Sequence, residues 1–184
     1  ILVGTNQYPN FTETMLDKIS KTNTSSCGCG EEDTPLKKLN KSRLAESFNE
    51  LRLATESNEN TPKVFMLTIG NLAMRLARAQ FSSNFFAVAG YQIIDNIGFD
   101  TVEQGVQAAC EAKADIIVLC SSDDEYAELA PKAYELVKDG KEIFVVAGAP
   151  ACMDDLKAVG IEHFINIRSN VLDTLKRFNE KLLK

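Results

Sequence analysis

The chain has 184 residues, 45% of them hydrophobic and 25% charged, with 26 acidic against 20 basic side chains and a formal net charge of −6. That length suits one domain of average size plus an appendage and is too short for a complete (β/α)8 barrel enzyme, which needs roughly 250 residues. An acidic surface repels phosphate backbones, and no apolar run approaches the ~20 residues of a membrane span, so neither nucleic acid nor membrane is an expected partner.

The chain opens at Ile1 without a basic n-region and apolar stretch, so no secretory signal is read, and the missing initial Met suggests a portion of a longer polypeptide. After Ile1-Leu2-Val3-Gly4 comes a long polar region, and Lys21 to Asp33 (KTNTSSCGCGEED) reads as an exposed loop. From Thr34 the spacing of Leu36, Leu39, Leu44, Phe48 and Leu51 predicts an amphipathic helical arm. Its stripe has nothing local to cover it, so it is expected to lie on the following domain or on a partner. Residues 1–62 are therefore read as a linker and 63–184 as the domain proper.

From Lys63 the pattern becomes regular. KVFMLTI (63–69) is a strand, and Met74, Ala77, Phe81, Phe85 and Val88 mark a helix that stops at Gly90. YQIIDNI is a second strand. Thr101 with Gln104 has capping-box spacing ahead of a helix carrying Val102, Val106, Ala109 and Cys110. IIVLC (116–120) is a buried third strand, and Ser122 with Glu125 is a second capping box. The next helix passes Tyr126, Leu129, Ala133, Leu136 and Val137 to Gly140, with a kink expected at Pro131. EIFVVAG, a short helix near Met153–Val159 ending at Gly160, IEHFINI, and a helix lined by Val171, Leu172, Leu175, Phe178 and Leu182 complete the chain.

Five continuously apolar strands alternating with five helices predict an α/β flavodoxin-like domain: a parallel sheet in the order 2-1-3-4-5 with helices on both faces. Ligands of such folds bind beyond the carboxyl ends of the strands, so the informative loops begin at Gly70, Asn96, Ser121, Gly148 and Asn166.

These loops hold little chemistry. Gly70 alone cannot make a phosphate cradle or a dinucleotide fingerprint. Arg75 and Arg78, in a stretch without carboxylates, read either as an anion or acidic-partner site or as a solvated basic face. A receiver-type phosphoacceptor is excluded, because the third strand ends Cys120-Ser121-Ser122 and the first is followed by Asn71-Leu72. Asp123 and Asp124 read as helix-start carboxylates that offset the dipole. The only histidine, His163, lies within the fifth strand and reads as a packed or edge residue rather than a ligand. No nucleophile-elbow spacing joins it to Ser121 or Ser122. The five cysteines, Cys27, Cys29, Cys110, Cys120 and Cys152, fit a reducing cytoplasm better than a disulfide framework. Cys27-Gly-Cys29 alone supplies too few ligands for structural zinc.

In order, ILVGTNQYPN, LAESFNELRLATE, DIIVLCSSDDEY and EIFVVAGAP resemble the C-terminal region of the methylmalonyl-CoA mutase family. The resemblance implies a linker that follows a (β/α)8 barrel absent from this chain, and then a domain of the cobalamin-binding type. Cobalamin-binding members carry Asp-x-His-x-x-Gly just after the first strand. Here the stretch reads Gly70-Asn71-Leu72-Ala73-Met74-Arg75-Leu76-Ala77, with Met74 or Arg75 where the cobalt-ligating imidazole belongs. The second-shell carboxylate that would orient it is missing too.

This pattern resembles the small subunits of the heterodimeric mutases. It implies a cytoplasmic chain without catalytic, cofactor-binding or metal-ligating residues of its own, paired with a large catalytic subunit that carries adenosylcobalamin. The holoenzyme would interconvert methylmalonyl-CoA and succinyl-CoA. The bulk of Leu72, Met74, Phe81, Phe85 and Phe86 is expected to close the channel that takes the cofactor's tail in binding members. The alternatives are an active cobalamin carrier with an atypical ligand and a flavodoxin-like sensor or interaction module.

Overall fold

The computed structural model describes residues 4–15 and 44–183. Among them the elements run α1 (Glu46–Glu56), β1 (Lys63–Thr68), α2 (Leu72–Ala87), β2 (Gln92–Ile94), α3 (Val102–Glu111), β3 (Ile116–Cys120), α4 (Tyr126–Val137), β4 (Ile143–Ala147), α5 (Met153–Val159), β5 (His163–Ile165) and α6 (Val171–Leu182). The five strands form one parallel sheet in the order β2-β1-β3-β4-β5, as the alternating pattern predicts.

Both faces of the sheet are covered, which is why its strands read as unbroken apolar runs. Alternate residues feed two cores. Val64, Met66, Ile116, Val118 and Val145 face one core, with Phe85 and Phe86 of α2 and Leu175 and Phe178 of α6. Phe65, Leu67, Ile117, Leu119 and Val146 face the other, beneath Val106 of α3, Tyr126 of α4 and Leu156 of α5. Phe86 is wholly buried, stacks on Tyr91 and meets Phe178 at a tilt, and burial of such a ring contributes roughly 1.5–3 kcal/mol.

The outer strands are shorter than their apolar runs. YQIIDNI and IEHFINI each keep three residues in the ladder, because an edge strand has a neighbour on one side only. Helix starts follow their side chains: Asn71, Thr101 and Asn170 accept from the N–H groups of Met74, Gln104 and Asp173. Gly160 ends α5 with φ 109°, the left-handed turn that glycine makes without cost. Helix α4 runs unbroken through Pro131.

Only part of the arm lies within the described residues. Leu36 and Leu39 lie outside the described residues, and Leu44 precedes α1 and is 89% exposed. Leu51 and Phe48 do join the first core, and α1 rests on α6. A buried polar contact holds that packing: Tyr91 donates to Asn179 Oδ1 at 2.6 Å, and Asn179 Nδ2 donates to Leu51 O at 3.4 Å and Thr55 Oγ1 at 3.2 Å. The last helix before Lys63 is thus part of the domain's own core.

Arg52 anchors the preceding segment. Its Nε pairs with Glu56 Oε1 at 3.0 Å, its Nη2 donates to the carbonyls of Asn10 (3.0 Å) and Glu13, and Glu56 Oε2 accepts from Met15 N at 2.7 Å. Both partners of the pair are about nine-tenths buried. Removing one leaves the other as an uncompensated charge, so Arg52→Met is expected to lower the unfolding free energy by about 3 kcal/mol. Denaturant unfolding checks the loss, and limited proteolysis should find earlier cleavage within residues 4–15.

Candidate functional site at the carboxyl edge of the sheet

In a sheet of this order the chain reverses direction of winding between β1 and β3, and the crevice above that point is the natural ligand position. Its walls are Gly70-Asn71 after β1 and Ser121-Ser122 after β3. One side chain bridges them. Glu125 Oε2 accepts from Ser121 Oγ at 2.5 Å, Ser122 Oγ at 2.7 Å, Ser122 N at 3.2 Å and Asn71 N at 3.2 Å. These donors favour the ionised form, the two serine hydroxyls most, and hold the carboxyl down at about 2. Gly70 makes room: its φ is +78°, and a β-carbon there would run into the Glu125 carboxylate.

The capping box expected of Ser122 and Glu125 is half made. Glu125 reaches back to the Ser122 N–H, but the Ser122 hydroxyl donates to the carboxylate, and the helix begins only at Tyr126. Tyr126 ties the neighbouring strand ends. Its hydroxyl donates to Ala147 O at 2.6 Å and accepts from Ser121 N at 3.0 Å, with the side chain fully buried.

The two arginines of α2 are committed within the chain. Arg78 Nη2 lies 3.0 and 3.1 Å from the two oxygens of Asp123, so Asp123 acts as an ion-pair partner, and it stands ahead of α4, which begins only at Tyr126. Arg75 reaches Gly70 O and Ile97 O, each at 3.3 Å. Both Nε atoms are buried and make no hydrogen bond among the described residues. On the β2 side, Asn96 accepts from Thr68 Oγ1 at 2.5 Å and donates to Met66 O. After β5, Asn166 N donates to Ser169 Oγ at 3.0 Å.

The segment after β1 is helical from Leu72, so Met74 sits in the first turn of α2, its N–H held by Asn71. The expected channel-filling bulk is only partly inward. Phe85 and Phe86 are buried and Phe81 packs on the same core, whereas Leu72 is 60% and Met74 37% exposed, because the first turn of α2 projects beyond the sheet. Phe81 and Phe85 also line a cavity of about 550 Å³, together with Asn84, Asn166 and Val171 and the Tyr8 segment.

His163 lies two residues before the carboxyl end of β5, away from the crevice. Its ring meets Phe178 edge-on at 5.3 Å, and its Nε2 is 3.1 Å from Lys181 Nζ. Burial, then the Lys181 charge, lowers its pKa. Cys120 is a core residue whose thiol burial pushes up to about 12, Cys152 is half-buried, and Cys110 is exposed because Val102, Val106 and Ala109 make the inward stripe of α3. Cys27 and Cys29 lie outside the described residues. Among the described residues no three His, Cys, Asp or Glu side chains are grouped to hold a metal ion, and no helix is long and apolar enough to cross a membrane.

Sequence reasoning missed the hydroxyl of Tyr126 and the reach of Glu125 to Asn71. The paired serines at the end of β3, facing Gly70 in a neighbouring loop, were the available signal.

Two outcomes follow from this geometry. Tyr126→Phe leaves the Ser121 N–H and Ala147 carbonyl without their partner and is expected to cost about 1–3 kcal/mol in denaturant unfolding. The lowered His163 pKa means that the unfolded chain takes up its proton first. The His163 contribution is therefore complete above its ordinary value of 6.5 and is lost as pH falls through it toward the lower folded value. Unfolding midpoints across that range should drop in the wild type and lose this component in His163→Phe.

No protein-family model matches the chain. Over 182 residues, 98% of its length, it is 60% identical to the methylmalonyl-CoA mutase small subunit of Porphyromonas gingivalis, a match covering 29% of that protein. It is 35% identical over 101 residues to the small subunit of Streptomyces virginiae, covering 52% of this chain and 16% of that protein. To the probable small subunit of Mycobacterium tuberculosis strain H37Rv it is 25% identical over 186 residues, 98% of this chain and 28% of that protein. The chain thus spans less than a third of the length of the curated relatives it matches.

Proposed function

The chain belongs to the methylmalonyl-CoA mutase small-subunit family, and from that premise we propose that this region serves the mutase as structure and subunit contact and holds no corrinoid itself. The assembled enzyme interconverts methylmalonyl-CoA and succinyl-CoA in the cytoplasm. The large subunit of the heterodimer carries adenosylcobalamin, and this chain adds no catalytic residue.

The donor set at the carboxyl edge carries this reading, because it does not fit a corrinoid. A cobalt ligand from the loop after β1 would have to come from Met74 or Arg75. Met74 is a thioether on the first turn of a helix, and Arg75 is a guanidinium engaged with Gly70 and Ile97. Neither replaces an imidazole steadied by a carboxylate. The one imidazole of the chain is packed against Phe178 and Lys181 within β5. The crevice between β1 and β3 is taken up by Glu125.

Adding the full-length protein to adenosylcobalamin should leave the cofactor's absorption spectrum unchanged. A base-off, histidine-ligated spectrum would contradict the proposal. Co-expressed with the large subunit, the full-length chain should co-purify as a heterodimer, and failure to associate would count against the subunit-contact role.

A further inference from the structure

We propose that the Glu125 carboxylate is a built-in anion that occupies the crevice between β1 and β3 and keeps it shut to phosphate-type anions from solution. The inference rests on the reading that this edge takes no ligand and deepens it by naming the device.

The donors around Glu125 are of the kind that bind phosphate: two backbone N–H groups at the starts of α2 and α4 and two hydroxyls, all converging on a single oxygen. A helix cap alone accounts for the Ser122 N–H contact. It does not account for the Ser121 hydroxyl, nor for the Asn71 N–H, which arrives from another loop 54 residues away in sequence. Gly70 completes the seat, since any side chain there would displace the carboxylate.

The neighbouring positive charge is withdrawn as well. Asp123 engages Arg78, and Arg75 is turned to two carbonyls of its own chain. A group tethered three residues from Ser122 competes at an effective concentration on the mM scale or above, so a free anion of ordinary affinity cannot enter.

Inorganic phosphate is the probe, with chloride at matched ionic strength as the control, read by calorimetry and by the shift in thermal midpoint. The wild type should show no phosphate-specific binding. Glu125→Ala should gain saturable binding with a phosphate-dependent rise in midpoint. Adding Ser121→Ala and Ser122→Ala to that variant should weaken the gain about tenfold or more, as lost charge-assisted hydrogen bonds do.

Phosphate binding by the wild type equal to that of Glu125→Ala would overturn the inference, as would a gain that survives loss of both serines. Should Glu125→Ala fail to fold, Glu125→Gln is the second variant: amide exchange at Asn71 and Ser122 should accelerate, and unchanged exchange would overturn the inference. A corrinoid spectrum with the wild type would instead sink the underlying reading, whatever phosphate does.

Discussion

A parallel sheet ends at its carboxyl edge in a row of loops whose polar groups need partners, and here Glu125 and Tyr126 supply the central ones. Glu125 joins the loop after β1 to the loop after β3. Tyr126 joins the end of β3 to the end of β4. Two consecutive residues at the start of one helix thus connect three strands. Hydrogen bonds to an ionised acceptor are the strong ones, and burial of the tyrosine makes its loss costly. The position that other sheets of this order leave open for a ligand is satisfied from within.

The two cores beneath this edge are built from the sheet and the helices that cover it. Each face of the sheet is covered by helices whose inward side chains meet a strand residue at every second position. Loops above such a platform can change their chemistry while the platform stands. That separation fits a loop after β1 that passes directly into the first turn of α2. It also explains why α1 and α6 can share a buried contact through Asn179 at a distance from the edge.

Much of the fold was legible because it is written in local pattern. Continuous apolar runs marked β1, β3 and β4, Thr101 marked the start of α3, and glycine marked the end of α5. Strand order followed from the alternation of element types. The lengths of β2 and β5 were not legible, because the run of apolar residues does not record that a strand has only one neighbour. The exposure of Leu72, Met74 and Cys110 was missed for a related reason: apolar character does not tell which turn of a helix overhangs its sheet.

The candidate site was hard to read as a construction. That Gly70 to Ala77 hold no histidine can be read from one line of sequence. The carboxylate that fills the crevice cannot, since Glu125 looks like an ordinary capping residue until Gly70 and Asn71 are brought opposite it. Arg52 was similarly opaque, as its partners Asn10 and Glu13 lie about forty positions earlier.

Carbon-detected nuclear magnetic resonance of the Glu125 side-chain carboxyl during an acid titration is the most direct measurement of the closed edge. A carboxylate held by these donors titrates with a midpoint near 2, with the amide signals of Asn71 and Ser122 moving at the same pH. An ordinary midpoint near 4.5, with those two amides indifferent to it, would mean that the carboxylate is not held in the crevice at all.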